Sequence, residues 1–206
     1  MLLPSGRVTL LLGDVEGSTR AWETDPRAMH KAIRAWNETI DDLVARFDGL
    51  RPVEQGEGDS FVAAFTRAED AVNCALALQQ ALLGGVLRVR QGLHTGDVVQ
   101  RDEGNYVGPA IIRAARLRNL AHGGQTVMSE ATRESVGGAL PEGATLRDLG
   151  VHRLKDMSRP ERVFQLCHPD LPSGFPPLGS PSDHPAHNLP AQRTSASDPF
   201  RRRRRS

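Results

Sequence analysis

The sequence predicts an α+β domain, in which helices pack on a mixed β-sheet, followed by a tail of different composition. Some segments repeat apolar residues at spacings of three and four, and others are short apolar or alternating runs. These segments do not alternate regularly as strand, helix, strand, which disfavours a doubly wound parallel sheet. From His168 onward, proline, serine and glycine replace the apolar pattern. We therefore expect a folded domain over residues 1–167 and a Pro/Ser-rich, Arg-ended disordered tail over 168–206.

The first half of the domain begins with an apolar run that ends at Gly13-Asp14, which is typical of a buried strand. Next, Asp25 and Pro26 form a helix start, with a capping side chain and a proline in the first turn. A glycine-rich turn at 56–59 then indicates a hairpin. The predicted elements are a strand at 8–12, a helix at 26–47, hairpin strands at 50–54 and 60–65, and a helix at 67–83.

The second half continues with strands whose polar and apolar residues alternate, and with a third helix that opens on a proline. His122-Gly123-Gly124 follows this helix and indicates its end. The predicted elements are strands at 86–92 and 95–100, a helix at 108–121, a strand at 125–128, a short helix at 129–136, and closing strands at 146–154 and 162–167.

The composition excludes several classes of protein. Among 206 residues, 26 Lys and Arg balance 25 Asp and Glu, so the domain does not bind nucleic acid through overall basicity. Five arginines, Arg201–Arg205, end the tail; weak contact with nucleic acid stays open there, and a solvated tail is the simpler interpretation. Cys74 and Cys167 are far apart, which argues against a zinc ribbon or disulfide scaffold and favours the cytoplasm. No apolar segment approaches membrane-spanning length or resembles a signal peptide.

Two acidic residues in turns indicate phosphate chemistry. Asp14 follows the first strand and precedes Gly17-Ser18-Thr19, so the carboxylate suits Mg²⁺ and the turn amides suit phosphate oxygens. An ordinary capping turn is the alternative. Asp59 lies in the bend of the predicted hairpin, which can bring it near Asp14. Two carboxylates that share two divalent cations suit in-line phosphoryl transfer. A P-loop is excluded because its glycine–lysine motif is absent.

Eight stretches of the chain form one pattern. They are VTLLLGDVEGST at 8–19, VEQGEGDSF at 53–61, GLHTG at 92–96, NYVG at 105–108, RAARL at 113–117, GGQTVMS at 123–129, HRLKD at 152–156 and RPERVFQ at 159–165. Together they resemble a class III nucleotidyl cyclase catalytic domain of the mycobacterial type. The resemblance covers residues 7–167 in one register, which makes it more specific than any single motif. It implies a ferredoxin-like α+β fold.

The resemblance implies a head-to-tail homodimer in which each site combines residues of both protomers. Asp14 and Asp59 of one protomer, with the Val15 carbonyl, would hold two Mg²⁺ or Mn²⁺ ions. The other would supply Arg116 as the transition-state arginine and Lys155 as the triphosphate lysine. A delocalised guanidinium and a compact ammonium suit these roles. Ordinary surface positions remain the alternatives, although Lys155 is one of only two lysines in the chain.

Three positions depart from the family pattern. Gln55 stands where the adenine-selecting lysine belongs, and Asn105 stands where its partner aspartate belongs. Each amide offers both a donor and an acceptor, so the pair suits adenine or guanine and weakens base discrimination. Ile112 stands where the transition-state asparagine belongs, four residues before Arg116. One lost oriented donor costs on the order of 10²–10³ in rate, so we expect a slow enzyme.

The leading hypothesis is a cytoplasmic adenylate cyclase, a phosphorus–oxygen lyase that converts ATP to 3′,5′-cyclic AMP and pyrophosphate. One alternative is a degenerate cyclase-homology domain that binds nucleotide or dimerises as a regulatory module, and another is a guanylate cyclase. The tail up to about residue 195 resembles the linker that leads into ATPase and LuxR-type DNA-binding domains in larger relatives. A truncated former regulator is therefore a further hypothesis.

Overall fold

The computed structural model describes residues 3–52, 58–101 and 104–179, and these form one mixed sheet with helices on both faces. In chain order the elements are β1 (Gly6–Val15), α1 (Ser18–Thr24), α2 (Pro26–Arg46), β2 (Ser60–Phe65), α3 (Ala68–Ala81), β3 (Val89–Arg101), β4 (Asn105–Val107), α4 (Pro109–Leu120), β5 (Thr126–Ser129), α5 (Glu130–Val136), β6 (Thr145–His152) and β7 (Glu161–Cys167).

The strand order in the sheet is β2-β1-β3-β5-β7-β6, and β4 pairs with the far end of β3. Only the β3–β5 pair is parallel among the paired strands of the described residues. The predicted α+β class with a mixed sheet is therefore confirmed. The arrangement makes β1 and β3 neighbours in the middle of the sheet, and the candidate site lies at their shared end.

Both faces of β1 are buried, because side chains alternate between two helical layers. Leu11 and Val15 belong to the large core cluster formed with α2 and α3. Leu10 and Leu12 belong to a second cluster formed with α4. This alternation explains the continuous apolar run at 8–12. It also places Asp14, which is in phase with Leu10 and Leu12, on the α4 side of the sheet.

Helix α2 follows the predicted span closely. Asp25 caps it by accepting a hydrogen bond from the Ala28 amide at 3.0 Å, and Pro26 occupies its first turn. Its apolar stripe includes Trp36, which is only 4 % exposed and meets the ring of Phe61 edge-on at 6.2 Å between centroids. Trp36 is therefore a packing residue of the buried face of α2.

The structure corrects two strand predictions. Residues 86–92 and 95–100 were expected to form two strands, but one strand, β3, runs through 89–101. Leu93 and His94 lie buried within it, so no turn separates the two halves. The strand expected at 50–54 is represented in the described residues by a single bridge between Leu50 and Ala64. Strand β2 pairs instead with β1, and residues 53–57 lie outside the described part of the chain.

Residues 168–179 cross the domain surface as an extended segment that we call the C-terminal strap. His122 Nε2 donates to the Pro177 carbonyl at 3.0 Å, and the His122 ring stacks on Phe175 at 6.5 Å between centroids. The Gly179 amide donates to the Leu120 carbonyl at 3.1 Å, at the end of α4. The division between domain and tail at residue 167 stays a prediction, and residues 180–206 lie outside the described part of the chain.

Candidate active site

Asp14 lies near the end of β1, directly opposite Arg90 of β3 in the antiparallel register. The Asp14 carboxylate accepts hydrogen bonds from Arg90 Nε at 2.5 Å and from Arg90 Nη2 at 2.9 Å. Both side chains are largely buried, at 14 % and 15 % exposure. Burial opposes the positive charge of Arg90, but its hydrogen bonds and charge interaction with Asp14 outweigh this effect and raise the pKa of Arg90. Asp14 therefore forms an ion pair with Arg90 within the same chain.

Arg118 of α4 is a second cation beside Asp14. Its Nε lies 3.8 Å from Asp14 Oδ2, and its Nε and Nη2 donate to Asn119 Oδ1 at 3.2 and 3.0 Å. Its side chain is only 5 % exposed. Burial lowers the pKa of Arg118, the charge of Asp14 opposes this effect, and the charge of Arg90 adds to it.

Gly92 of β3 allows α4 to come this close to the sheet. A Cβ atom built at Gly92 would lie 2.3 Å from the Arg118 backbone nitrogen and 2.8 Å from the Ala114 carbonyl oxygen. Only a residue without a side chain fits beneath the helix backbone there. The close packing of α4 on β3 at Gly92 holds Arg118 over Asp14.

Asp59 lies next to Asp14 across the β1–β2 pair. Its carbonyl accepts the Val15 amide at 3.0 Å, and the neighbouring Ser60 is the register partner of Asp14. Asp59 Oδ1 is buried and has no hydrogen-bond partner among the described residues. A buried carboxylate oxygen without a donor suits a bound cation. The structure thus brings the two predicted metal-binding aspartates to one end of the sheet.

The donor set at this end fits Mg²⁺ or Mn²⁺, which prefer oxygen ligands. Within the described residues, no three His, Cys, Asp or Glu side chains converge in a metal-binding group. Asp14 and Asp59 would therefore be the protein carboxylates, and carbonyl, phosphate or water oxygens would complete the coordination. Mg²⁺ is often bound in this way, with few carboxylates.

Arg116 and Lys155, the two predicted phosphate-facing cations, lie close together through one loop. Arg116 Nη2 donates to Asp156 Oδ2 at 2.9 Å, and Asp156 directly follows Lys155. Leu154 is buried against Leu117 of α4, which anchors the loop. Within the described part of the chain, Arg116 Nε is buried without a partner and Lys155 forms no ion pair. Arg116 and Lys155 can therefore donate hydrogen bonds to a bound anion.

Ile112 lies one helical turn before Arg116 on α4. It is partly buried, as is its neighbour Ile111, and of the two only Ile111 packs against a core cluster of the described residues. The expected place of Ile112 beside a bound nucleotide stays a prediction.

Asn105 begins β4 and is buried. It pairs with Arg101 at one end of β3, whereas Asp14 pairs with Arg90 at the other end. Eleven positions of β3 separate Arg90 from Arg101, so Asp14 and Asn105 lie at different levels of the sheet. Gln55, the other predicted base-contacting residue, lies outside the described residues.

Gly17, Ser18 and Thr19 form the start of α1, where Gly17 has the left-handed conformation with φ 69°. No side chain caps this helix start. Their predicted contact with phosphate stays a prediction, as does the metal contact of the Val15 carbonyl.

His94 is a buried packing residue, as the sequence suggested. Its Nδ1 lies 2.9 Å from Ser129 Oγ, within a hydroxyl network that also includes Thr95 and Thr132. Burial, and then the charges of Arg113 and Arg7, lowers the pKa of His94 to about 4. The imidazole is therefore neutral at physiological pH and supports the sheet beneath α5.

The sequence does not identify Arg90 or Arg118 as site residues. Arg90 lies in the strand predicted at 86–92, and no local pattern distinguishes Arg118 from the other arginines of its helix. A signal existed for Arg90: a central strand buried on both faces leaves no solvent for a charged side chain, so a counter-ion is needed.

An open cleft of about 530 Å³ between β6, β7 and the C-terminal strap is lined by Cys167 and His168. It lies three strands away from Asp14 and contributes nothing to this site.

Comparison with known proteins decides the family. The family model for the adenylate and guanylate cyclase catalytic domain matches residues 3–161. The chain belongs to this family. An uncharacterized protein of Mycobacterium tuberculosis is 54 % identical over 194 residues, covering 94 % of this chain and 67 % of that protein. A putative adenylate cyclase of Rhizobium meliloti is 29 % identical over 200 residues, covering 93 % of this chain and 33 % of that protein.

Solved structures agree with this assignment of the cyclase domain. A structure of adenylate cyclases from Trypanosoma brucei in their monomeric state has a TM-score of 0.74 at 27 % identity, covering 86 % of this chain and 94 % of that one. The adenylyl cyclase CyaB from P. aeruginosa shares the fold, with a TM-score of 0.68 at 18 % identity over 84 % of this chain and 97 % of that one. The predicted cyclase fold is confirmed.

Proposed function

We propose that the protein is a nucleotidyl cyclase that converts ATP to 3′,5′-cyclic AMP and pyrophosphate in a homodimer. The observation that carries the proposal is the buried, unpartnered Asp59 Oδ1 beside Asp14, in a chain of the cyclase family. In the reaction the ribose 3′-oxygen bonds to the α-phosphorus, and the bond from that phosphorus to the pyrophosphate oxygen breaks. The hydroxyl proton passes to solvent.

Asp14, Asp59 and the Val15 carbonyl would hold two Mg²⁺ or Mn²⁺ ions. Such ions lower the pKa of an attacking hydroxyl and neutralise a triphosphate. Arg90, which holds Asp14 in its carboxylate geometry, also lies at the rim where a triphosphate would bind. The amides of Gly17, Ser18 and Thr19 would face the phosphates from the start of α1.

Arg116 would stabilise the charge that develops on the α-phosphate, and Lys155 would bind the leaving pyrophosphate. Donors that are aimed at developing charge account for a large part of enzymatic rate enhancement. Arg116 is oriented by its ion pair with Asp156, and its buried Nε retains a donor. Leu154 packs with Leu117 of α4. This contact holds the loop of Lys155 against the helix that carries Arg116.

The separation along β3 supports a site shared between two protomers. Asp14 pairs with Arg90 near the start of β3, whereas Asn105 pairs with Arg101 at its end, so the two residues lie at opposite ends of this strand. A second copy, arranged head-to-tail, would bring its Asn105, Arg116 and Lys155 to the aspartates of the first.

The proposed location is the cytoplasm, whose reducing conditions suit the free thiols of Cys74 and Cys167. Within the described residues, no helix has the length and apolar character of a membrane span.

An assay for cyclic product tests the proposed function. Purified protein is incubated with Mn²⁺ and either ATP or GTP, and cyclic AMP and cyclic GMP are quantified separately. We expect cyclic AMP above a heat-denatured control, together with weak discrimination against GTP because Gln55 and Asn105 are both amides. Cyclic GMP as the main product would replace the proposal with a guanylate cyclase. No cyclic product at any metal concentration would contradict both.

Replacing Ile112 by asparagine is expected to raise turnover on the order of 10²-fold. The amide would supply the donor that the family uses near the ribose, at a partly buried position outside the core clusters of the described residues, where little packing is lost. Turnover should rise more than apparent nucleotide affinity, because the bond strengthens in the transition state. Initial rates against ATP with Mn²⁺ measure both quantities. An unchanged rate in a folded variant would contradict the assigned role of this position.

A nucleotide-binding regulatory module is the second candidate, and two observations favour it. Ile112 lacks the expected donor, and Asp14 is already compensated by Arg90 and Arg118. Nucleotide binding that shifts the dimer equilibrium without product formation would identify this function.

A further inference from the structure

Arg118 is a fixed cation at the bottom of the candidate metal site. Its guanidinium is within 4 Å of the Asp14 carboxylate, at 3.8 Å between Nε and Oδ2. The side chain is 5 % exposed, so it cannot turn away into solvent. Two further constraints hold it: the hydrogen bonds to Asn119 Oδ1, and the backbone contact between α4 and Gly92.

The side chain of Arg90 is more exposed than that of Arg118. Its side chain is 15 % exposed and lies on β3 at the rim of the site, and it forms both hydrogen bonds to Asp14. An arriving triphosphate can therefore exchange places with Asp14 as the partner of Arg90, since guanidinium binds phosphate and carboxylate alike. Arg118 has no such exchange available, because it is enclosed by the helix and the sheet.

The charges near Asp14 are balanced before any metal binds. Asp14, Asp59 and Glu16 contribute three negative charges, and Arg90, Arg116 and Arg118 contribute three positive charges. Glu16 interacts electrostatically with Arg90, and both aspartates, Arg90 and Arg116 interact with Arg118. A divalent cation that enters alone adds two positive charges to a neutral group in a poorly solvated place, which is unfavourable. A cation that arrives with a triphosphate brings its own compensation.

We propose that Arg118 is a positioning residue that couples metal binding to nucleotide binding: its buried guanidinium holds Asp14 in place and keeps the affinity for Mg²⁺ or Mn²⁺ alone low. The inference rests on the proposed function, in which Asp14 and Asp59 hold the metal ions. It adds a regulation of that site, because metal alone cannot occupy it at concentrations at which the metal–triphosphate complex binds.

The test measures binding of Mn²⁺ alone, without nucleotide, by calorimetry on the full chain. In Arg118→Gln we expect Mn²⁺ affinity to rise roughly tenfold, because one nearby positive charge is lost. Arg118→Lys keeps the charge and should bind Mn²⁺ as the wild type does. Arg113→Gln is the matched control: it removes a charge from the same helix, where the arginine pairs with Glu161 at 3.4 Å rather than with Asp14. Its Mn²⁺ affinity should be unchanged.

A second readout separates a charge effect from a packing effect. Arg118→Met keeps a long side chain without the charge and should bind Mn²⁺ as tightly as Arg118→Gln, with thermal unfolding checked for each variant. Folded Arg118→Gln and Arg118→Met proteins that bind Mn²⁺ no more tightly than the wild type would overturn the inference.

The proposed function has its own, separate outcome in this experiment. Asp59→Asn in the Arg118→Gln background should remove the Mn²⁺ binding. Mn²⁺ binding that persists at full strength in this double variant would overturn the metal site itself, and with it the proposed function. Binding that depends on Asp59 but not on Arg118 would leave the proposed function standing and reject only the role of Arg118.

Discussion

Replacing Asp59 by asparagine is expected to reduce cyclic product formation about 10³-fold while leaving the fold intact. Asp59 Oδ1 has no hydrogen-bond partner among the described residues, so the variant breaks no hydrogen bond of that atom and removes one negative charge that interacts with Arg90 and Arg118. Initial rates with Mn²⁺ and ATP, together with thermal unfolding of the same preparation, measure the two effects. Activity within tenfold of the wild type would reject the metal role of Asp59.

Asp14→Asn is a less specific test, although the sequence made the two aspartates look equivalent. Asp14 pairs with Arg90 and lies beside Arg118, so its neutralisation leaves two largely buried guanidiniums without their carboxylate. Breaking a buried ion pair from one side costs roughly 3 kcal/mol. Loss of activity in this variant would therefore combine chemistry with lost stability.

Mixing two inactive variants provides a control for the Asp59 result. Asp59→Asn and Arg116→Ala remove groups that the proposed dimer supplies from different chains. A heterodimer of the two contains one complete site, so the mixture should recover activity that neither variant has alone. No recovery, once subunit exchange has been demonstrated, would mean that the site lies within one chain.

Gly92→Ala is expected to destabilise the domain by about 3 kcal/mol and to abolish activity. The new Cβ atom would lie 2.3 Å from the Arg118 backbone nitrogen, and backbone atoms cannot move aside as a flexible side chain does. Helix α4 must then lift from β3, which displaces Arg116 and Arg118 together. Urea unfolding monitored by circular dichroism measures the free energy of unfolding.

Gly138→Ala is the matched control for this prediction. A Cβ atom at Gly138 would have nothing within 4 Å, so the same substitution adds a methyl group without a clash. Its stability should lie close to that of the wild type. Equal stability of the two variants would show that the contact between α4 and β3 tolerates a side chain, and would remove the basis for the rigid placement of Arg118.

Helices α2 to α5 and most strands could be predicted from the sequence because their periodicity and caps are local signals, whereas α1 and β4 were not predicted. Helix α2 illustrates this: Asp25, Pro26 and the apolar stripe define its start and its buried face within one segment. Strand β3 was divided in error because His94 and Thr95 interrupt the apolar pattern. Both are buried, and hydrogen bonds to α5 and its preceding residue satisfy them, which no local pattern reveals.

The residues of the candidate site could likewise be predicted only in part. Asp14, Asp59, Arg116 and Lys155 stand in recognisable motifs, so they could be named from the sequence. The partners that set their electrostatic state could not, since Arg90 and Arg118 reach Asp14 across 76 and 104 positions of the chain. That pairing depends on the register of β1 against β3 and on the close approach at Gly92.

The C-terminal strap determines where any following chain is attached. Gly179 is hydrogen-bonded to Leu120 and Pro177 to His122, so the backbone leaves the described structure at the end of α4. Arg116 and Arg118 lie four and two residues before Leu120 on that helix. A mechanical load on the chain beyond Gly179 would thus be transmitted through the strap to the helix that carries Arg116 and Arg118.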